Sequence, residues 1–174
     1  MADMPPPATD LGSIYDAHAP ALFAFLLNIT RREADARDIL QEVFVKLARQ
    51  PGLLEAAREP RAFLVRLAHN LAIDHLRRHQ ARERRHEAAA TGDPCLFAPT
   101  QDPDEDEFRR ALSEALGELP LAQRSVIHLK LWEGLTFEQI AETLEIPLNT
   151  AGSRYRYGID KLRDRLRPLY EEIQ

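Results

Sequence analysis

The sequence predicts an all-α protein of two small helical modules joined by a flexible linker, the C-terminal module being a four-helix helix-turn-helix domain. Apolar residues recur with a helical period from Leu11 to about Arg85, and Val and Ile are too scattered to form strands. Residues 86–107 have no sustained period and end in the acidic run QDPDEDE, which is typical of a linker. With 174 residues and 44% hydrophobic content, the chain can form one ordinary domain or two small ones.

The N-terminal module is predicted over residues 11–85, after a Pro-rich, disordered stretch at 1–10. A first helix is expected at 12–30 and a third at about 60–82. The second, at 34–50, has the clearest amphipathic pattern, and Pro51-Gly52 ends it. Its apolar stripe consists of Ala36, Ile39, Leu40, Val43, Phe44, Leu47 and Ala48.

The C-terminal module is predicted over residues 108–174, with helices near 107–118, 121–132, 136–144 and 149–167. Thr136 and Gln139 have the spacing of a capping box at the start of the third of these helices. Pro147 prevents that helix from continuing, and Asn149 is a good N-cap for the next one. Two helices separated by so short a break predict a helix-turn-helix motif.

The charge of the chain is unevenly distributed, although its net value is only −5. Residues 75–85 carry five Arg against one Glu, and residues 148–168 carry six Lys or Arg against two Asp. These two basic segments, rather than the sum of charges, are the candidate nucleic-acid contacts.

Several classes of protein are disfavoured by what the chain lacks. Cys95 is the single cysteine, which excludes an internal disulfide and a thiolate zinc site. The N-terminus does not have the pattern of a secretory signal, and no apolar run has the length of about 18 residues needed for membrane insertion. We therefore expect a soluble cytoplasmic protein.

The last helix predicts a surface that reads DNA. Thr150, Ser153, Arg154, Tyr157 and Lys161 share one side of it. Short hydroxyls and Arg near a helix N-terminus suit base edges and phosphates in a major groove, although charge alone is equally compatible with a solvated face. The capped first helix, the break and the basic second helix together favour DNA binding.

Enzymatic chemistry has little support in the sequence. His75 and His79 have i,i+4 spacing, with His69 or His86 as a third ligand, but Arg77, Arg78 and Arg82 would repel a dication. No phosphate-binding loop, nucleophile elbow or pair of catalytic carboxylates is recognisable. We expect no catalytic residue, no metal and no cofactor.

Residues 108–167 resemble region 4 of the sigma-70 family, in particular the short extracytoplasmic-function (ECF) sigma factors. The matching stretches are LPLAQRSVIHLKLWEGLTFEQIAETLEIP, TAGSR and KLRDRL. The resemblance implies contact with the β flap of RNA polymerase and recognition of the −35 promoter element. Gly152 and Tyr157 depart from the family pattern, in which cations are common. The −35 contacts are expected to be Asn149, Thr150, Ser153, Arg154, Arg156 and Tyr157.

The N-terminal module resembles region 2 of the same family. The stretch ADARDILQEVFVKL is similar to region 2.2, which implies that Asp38, Gln41, Glu42 and Val45 bind the coiled coil of the β′ clamp. The stretch PRAFLVRLAHNLAIDHLRR resembles regions 2.3 and 2.4, which implies −10 recognition, with extruded bases captured beside the 51–60 loop. The −10 contacts are expected to be Asn70, Arg77 and Arg78, whereas Asp74 is expected to pair with Arg78.

The resemblance implies a sigma factor that binds core RNA polymerase, directs initiation at promoter DNA and assists strand opening, rather than an enzyme. Such a protein is expected to be monomeric when free, and an anti-sigma partner is left open. The alternative is a stand-alone helix-turn-helix regulator in which residues 11–85 form a sensor or dimerisation domain.

Overall fold

The computed structural model describes residues 10–83 and 102–172, and over these ranges the chain is helical with no strand. Residues 1–9, for which disorder is predicted, lie outside the described residues. So do Cys95 and most of the predicted linker. The helices are α1 (Leu11–Thr30), α2 (Glu33–Arg49), α3 (Gly52–Glu55), α4 (Pro60–Glu83), α5 (Pro103–Glu118), α6 (Leu121–Leu131), α7 (Phe137–Leu144) and α8 (Leu148–Glu172). We refer to α1–α4 as the N-terminal module and to α5–α8 as the C-terminal module.

Helix α1 begins one residue earlier than predicted because Asp10 caps it. The Asp10 carboxylate accepts hydrogen bonds from the backbone N–H groups of Gly12, at 3.1 Å, and Ser13, at 3.2 Å. The Ser13 hydroxyl also donates to it, and these hydrogen bonds lower the pKa of Asp10. Asp10 is therefore an ordered N-cap. The sequence analysis had wrongly included it in the disordered N-terminal stretch.

Helix α2 buries the apolar stripe that its sequence predicts. The stripe packs on α1 and α4, and its members are buried except for Ala48, which is exposed. Asp35 also lies on the buried side, where its carboxylate is 3.2 Å from Nε2 of His75 on α4. The opposite side of α2 is therefore left to solvent.

The sequence analysis missed the short helix α3 and placed the start of α5 too late. Leu54 of α3 is buried, so a four-residue helix lies within the predicted 51–60 loop. Helix α5 begins at Pro103, within the predicted 86–107 linker. Carboxylates near a helix N-terminus interact favourably with the helix dipole. In addition, Glu105 accepts a hydrogen bond of 2.6 Å from Arg109, and Asp106 accepts one of 2.6 Å from Arg110. The acidic run thus belongs partly to a helix.

The predicted capping box at α7 is confirmed, whereas the predicted N-cap of α8 is wrong. Thr136 Oγ1 accepts from the Gln139 backbone N–H at 3.2 Å, and Gln139 Oε1 accepts from the Thr136 backbone N–H at 2.8 Å. Helix α8 begins at Leu148, and the Pro147 carbonyl accepts from the backbone N–H groups of Thr150 and Ala151. Asn149 is therefore inside the first turn and not at its cap.

One apolar core joins the two modules. It includes Leu26 and Leu64 of the N-terminal module together with Val126, Leu129 and Ile140 of the C-terminal module. Helix α6 packs on α1, and α7 packs on α4. A smaller core between α5, α6 and α8 includes Leu116, Ile127 and Leu162. The two modules are thus closed on each other, which the sequence pattern does not predict.

Candidate protein- and nucleic-acid-binding surfaces

The outer face of α2, by which we mean Asp38, Gln41, Glu42 and Val45, is exposed at every position. Val45 retains 40% exposure and Tyr15 of α1 retains 47%. The Tyr15 ring lies edge-on to Phe44, with 4.8 Å between ring centroids. Val45 and Tyr15 line an open cleft of about 540 Å³ that also includes Leu40 and Phe44. Arg37 and Gln41 also line the cleft, and the Asp38 and Glu42 carboxylates do not. A partly apolar cleft on a helix that also exposes two carboxylates can accept an apolar and cationic partner surface.

Of the three predicted −10 contacts, Asn70 lies near the middle of α4 and Arg77 and Arg78 lie on its C-terminal half, and all three are exposed. Arg78 donates from Nε to the backbone carbonyl of Asp74 at 3.2 Å, while the Asp74 carboxylate lies 3.9 Å from Nη1 of Arg77. The predicted side-chain pair between Asp74 and Arg78 is therefore wrong, because the carboxylate faces Arg77 instead. Asn70, Arg77 and Arg78 share a basic, solvent-facing surface.

The predicted −35 contacts lie on the first turns of α8 and differ in their accessibility. Asn149, Arg156 and Tyr157 are exposed, and the Arg156 guanidinium lies 5.1 Å from the centroid of the Tyr157 ring. Thr150, Ser153 and Arg154 are half-buried. The hydroxyl groups of Thr150 and Ser153 and the guanidinium group of Arg154, which are suited to a base edge, therefore all have restricted access in this arrangement.

Two glycines of α8 occupy contrasting environments. A Cβ atom at Gly158 would lie 2.5 Å from Cδ1 of Ile127, so this glycine permits the close crossing of α6 and α8. A Cβ atom at Gly152 would meet nothing within 4 Å. Gly152 thus has no packing role among the described residues, although a glycine costs a helix about 1 kcal/mol relative to alanine.

A cleft of about 450 Å³ brings the two predicted DNA-binding surfaces together. Arg77 of α4 and Arg154 of α8 both line it, together with His69, Ile73 and the side chains of α6. Burial lowers the pKa of His69, and the nearby positive charge of Arg154 lowers it further. The charge of Arg154 is therefore directed toward α4.

Two hydrogen-bonded pairs of polar side chains, Asn28–His128 and Arg61–Glu133, cross the interface between the modules, and we call the four residues the interface chain. The Asn28 amide nitrogen lies 3.0 Å from Nδ1 of His128, and Nε2 of His128 lies 3.9 Å from Oε1 of Glu133. Oε2 of Glu133 accepts from Nε of Arg61 at 3.0 Å and also contacts its Nη2. With the Asn28 amide nitrogen donating, Nδ1 accepts and the neutral ring carries its proton on Nε2. Asn28 and Arg61 belong to one module, His128 and Glu133 to the other.

The surroundings of His128 keep its ring neutral. Burial lowers its pKa to about 4, and the ring packs between Phe25 and Trp132, with centroids 5.2 and 5.3 Å away. The sequence analysis did not single out this residue. A polar residue inside an apolar helix stripe, as in FLLNIT and VIHLKL, is the signal that marks Asn28 and His128.

His75 and His79 face protein partners within the N-terminal module. Their rings stack with centroids 6.2 Å apart, and Nε2 of His79 lies 2.8 Å from Nη1 of Arg32. Within residues 10–83 and 102–172 no three His, Cys, Asp or Glu side chains are grouped so as to hold a metal ion.

A helical module with an exposed acidic face, followed by a helix-turn-helix module whose last helix is basic, is the arrangement typical of a DNA-binding transcription factor. Residues 14–82 match the family model for Sigma-70 region 2, and residues 115–164 match that for Sigma-70 region 4. This chain belongs to the sigma-70 family and is an ECF-type sigma factor, which acts in transcription initiation. The stand-alone regulator alternative is not favoured.

Similar proteins span most of the chain. It is 31% identical over 163 residues to the ECF RNA polymerase sigma factor SigL of Mycobacterium tuberculosis (strain ATCC 25618 / H37Rv), covering 90% of this chain and 89% of that protein. It is 31% identical over 160 residues to the RNA polymerase sigma factor CarQ of Myxococcus xanthus, covering 92% of this chain and 91% of that protein.

The fold is also similar to a solved structure. This is the sigma factor RpoE in complex with the anti-sigma factor NepR from Bartonella quintana, with a TM-score of 0.76 and 21% identity over 91% of this chain and 97% of that one. A helix able to cross a membrane is absent from the parts of the chain that the structure describes.

Proposed function

We propose that this sigma factor binds core RNA polymerase through the outer face of α2, contacts the −10 element through α4 and reads the −35 element through the first turns of α8. The polymerase surfaces involved are the β′ clamp coiled coil for α2 and the β flap for the C-terminal module. The protein acts in the cytoplasm as a dissociable polymerase subunit and not as an enzyme. It is monomeric when free, and a protein of the anti-sigma class is a candidate regulator.

The observation that carries this proposal is the outer face of α2. Four side chains predicted to bind polymerase are exposed together, and none is used to hold α2 in its own module. Val45 is not an isolated surface valine, because the exposed ring of Tyr15 lines the same cleft, with the buried Leu40 and Phe44 at its wall. Apolar anchors beside a polar rim are what a stable protein interface requires.

The assignment of α4 and α8 to DNA is supported by their chemistry. Asn and Arg side chains can each make two hydrogen bonds to a base edge, to adenine and guanine respectively. Asn70 and Arg77 are exposed on α4, and Arg156 is exposed on α8. The capping box of α7 and the packing of Gly158 against Ile127 fix the orientation of α8, and with it the direction in which Arg156 points.

Reconstitution with core RNA polymerase tests the proposal. The wild-type chain should give initiation at discrete start sites, whereas the double variant Asp38→Lys, Glu42→Lys should not associate with polymerase, because cations replace both carboxylates of the outer face. Polymerase association is measured by co-elution and initiation by mapping of transcript ends.

A matched control carries the same change in net charge on α5. Glu107 and Glu114 are exposed there, and the variant Glu107→Lys, Glu114→Lys should associate with polymerase as the wild type does. Undiminished association of the α2 double variant would reject the proposed face. Loss of association in both variants would show that total charge, and not the outer face of α2, governs binding.

A further inference from the structure

We propose that a set of polar side chains within the N-terminal module positions the basic end of α4 for opening of the −10 duplex. The set, which we call the polar bridge, consists of Arg32, Asp35, His75 and His79. Its members are positioning residues, because they hold α4 and are not themselves assigned to DNA or polymerase. This inference rests on the proposed function, since it concerns how the module presents Arg77 and Arg78.

Arg32 is an unusual residue for the place that it occupies. It is the N-cap of α2, where its side chain makes no capping hydrogen bond. Asn, Asp, Ser or Thr at this position can bond the backbone N–H groups of the first turn, and a cation there opposes the helix dipole. Residues that break such a local rule are commonly those that serve a functional arrangement elsewhere in the fold. The helix alone therefore does not explain Arg32.

The Arg32 side chain is directed to α4. Its Nη1 lies 2.8 Å from Nε2 of His79. A guanidinium can only donate, so Nε2 accepts and the neutral His79 ring carries its proton on Nδ1. Nε of Arg32 also lies 3.7 Å from Oδ2 of Asp35, which is in the first turn of α2. Arg32 thus connects the start of α2 to the C-terminal half of α4.

His75 makes a second link between the same two helices. Its Nε2 lies 3.2 Å from Oδ1 of Asp35, at ion-pair distance but without the alignment of a hydrogen bond. The rings of His75 and His79 stack with 6.2 Å between their centroids. The polar bridge is therefore a closed circuit, in which each side chain contacts two others of the set.

The polar bridge lies where α4 has little apolar anchoring. The buried residues of α4 extend as far as Ala72, whereas none of the side chains from Ile73 to His79 is fully buried. In this stretch Leu76 packs half-buried on the core. His75 and His79 are about one helical turn apart on the side toward α2, and Arg77, between them, is on the opposite side. The contacts of the two histidines therefore set the direction in which Arg77 points.

Polar contacts are suited to setting this direction. Hydrogen bonds depend on distance and angle, whereas burial of apolar area has no directional preference. Side chains that act on a bound partner must be held within about 0.5 Å of their productive position. Loss of the polar bridge should therefore impair opening of the duplex without unfolding the module.

The test uses the full chain with core polymerase on its mapped promoter. Arg32→Ser removes the guanidinium and supplies a preferred N-cap, so the melting temperature should stay at or above that of the wild type. The rate of open-complex formation should nevertheless fall about tenfold, the effect of losing one hydrogen bond to a charged group. On the same promoter with the −10 region preopened by mismatches, the variant should match the wild type, because opening no longer depends on α4.

A matched control removes one arginine outside the N-terminal module. Arg110 is exposed on α5, and Arg110→Ser should match the wild type on both templates. An equal defect of Arg32→Ser on the duplex and preopened templates would overturn the inference, because the loss would then be a general one. An unchanged rate on both templates would overturn it as well.

A double-mutant cycle tests whether Arg32 acts through His79. His79→Leu removes the acceptor and should slow opening as Arg32→Ser does, whereas His79→Gln supplies a carbonyl oxygen and should keep most of the rate. The double variant Arg32→Ser, His79→Leu should be no slower than either single variant, since both changes remove the same contact. Effects that multiply would show that the two residues act independently, and a failure of His79→Gln to restore the rate would show that the acceptor is irrelevant; either result would overturn the polar bridge.

The proposed function is tested separately in the same assay by Arg77→Ala, Arg78→Ala. Slow opening by this variant together with normal opening by Arg32→Ser would reject the polar bridge alone. Normal opening by the arginine double variant would reject the −10 assignment, and the role of the polar bridge with it. Slow opening by both variants on duplex, with recovery of Arg32→Ser on the preopened template, is the expected result.

Discussion

The outer face of α2 and the first turns of α8 are both amphipathic helix surfaces, yet only one of them is fully accessible. On α2, the carboxylates and Val45 face solvent. On α8, Thr150, Ser153 and Arg154 are half-buried, and Arg154 faces a cleft shared with α4. Two surfaces with equally clear sequence patterns can thus have different accessibility, because accessibility depends on which elements pack together.

The largest expected effect concerns the interface that causes this difference. The pKa of His128 is lowered from 6.5 to about 4, so the unfolded chain binds a proton at this site before the folded protein does. Stability is unaffected above the unfolded value and falls as the pH drops below 6.5, by about 3 kcal/mol at pH 4. The Glu133 carboxylate near Nε2 opposes this loss, so the figure is an upper value.

The measurement is the free energy of unfolding in urea between pH 7.5 and pH 4 for the wild type and for His128→Gln. The variant should be less stable at neutral pH but should lose less stability on acidification, since other titrating groups are common to both proteins. Parallel curves for the two proteins would contradict the burial of a neutral His128.

A second prediction separates the two surfaces directly. Val45→Asp should weaken polymerase binding by about 2 kcal/mol, roughly 30-fold, because it places a charge in the apolar groove beside Tyr15. Its stability should be unchanged, as Val45 is exposed. Arg154→Ala is the complementary control and should retain polymerase binding while losing promoter affinity. Equal polymerase binding by both variants would remove the distinction drawn between α2 and α8.

The packing of Gly158 of α8 against Ile127 of α6 provides a third prediction. Gly158→Ala should destabilise the protein by about 1.5 kcal/mol, because the new methyl group would overlap Cδ1 of Ile127 and lie 3.4 Å from Cβ of Gln123. Thermal or urea unfolding measures this change. The effect is local to the crossing of α6 and α8, so polymerase binding through α2 should persist at temperatures at which the variant remains folded. A neutral substitution would mean that α6 and α8 do not cross as closely as described.

The smallest effect is expected at Gly152, the matched glycine of α8. Gly152→Ala should stabilise the protein by up to about 1 kcal/mol, since a Cβ atom there meets nothing and the helix propensity improves. Unfolding measures the stability, and duplex binding measures the function. Lower promoter affinity in this more stable variant would indicate that the glycine admits a close approach of DNA to the backbone. Destabilisation would contradict the open surroundings of Gly152.

The elements that follow from local physics were predictable from the sequence. The buried stripe of α2 follows from helical periodicity, and the capping box of α7 follows from the hydrogen-bonding groups of Thr136 and Gln139. The site residues predicted on α2 and α4 are exposed. Their roles in binding stay predictions.

What could not be predicted depends on tertiary packing. The position of Asn149 in the first turn was missed because the Pro147 carbonyl already accepts the first helical hydrogen bonds. The interface chain was missed because a helix pattern identifies the buried side but not the helix that covers it. Asn28 and His128 are 100 residues apart in the chain, and no local pattern relates them.

The contact between the modules has a further consequence because both halves lie on one polypeptide. A tethered pair meets at an effective concentration in the millimolar range, whatever the number of copies in the cell. An intramolecular contact of this kind needs only a weak interface, and the fraction of molecules that form it does not decrease on dilution. Any molecule that binds the surfaces buried between the modules competes against this constant effective concentration. A higher concentration of the protein therefore cannot by itself expose those surfaces.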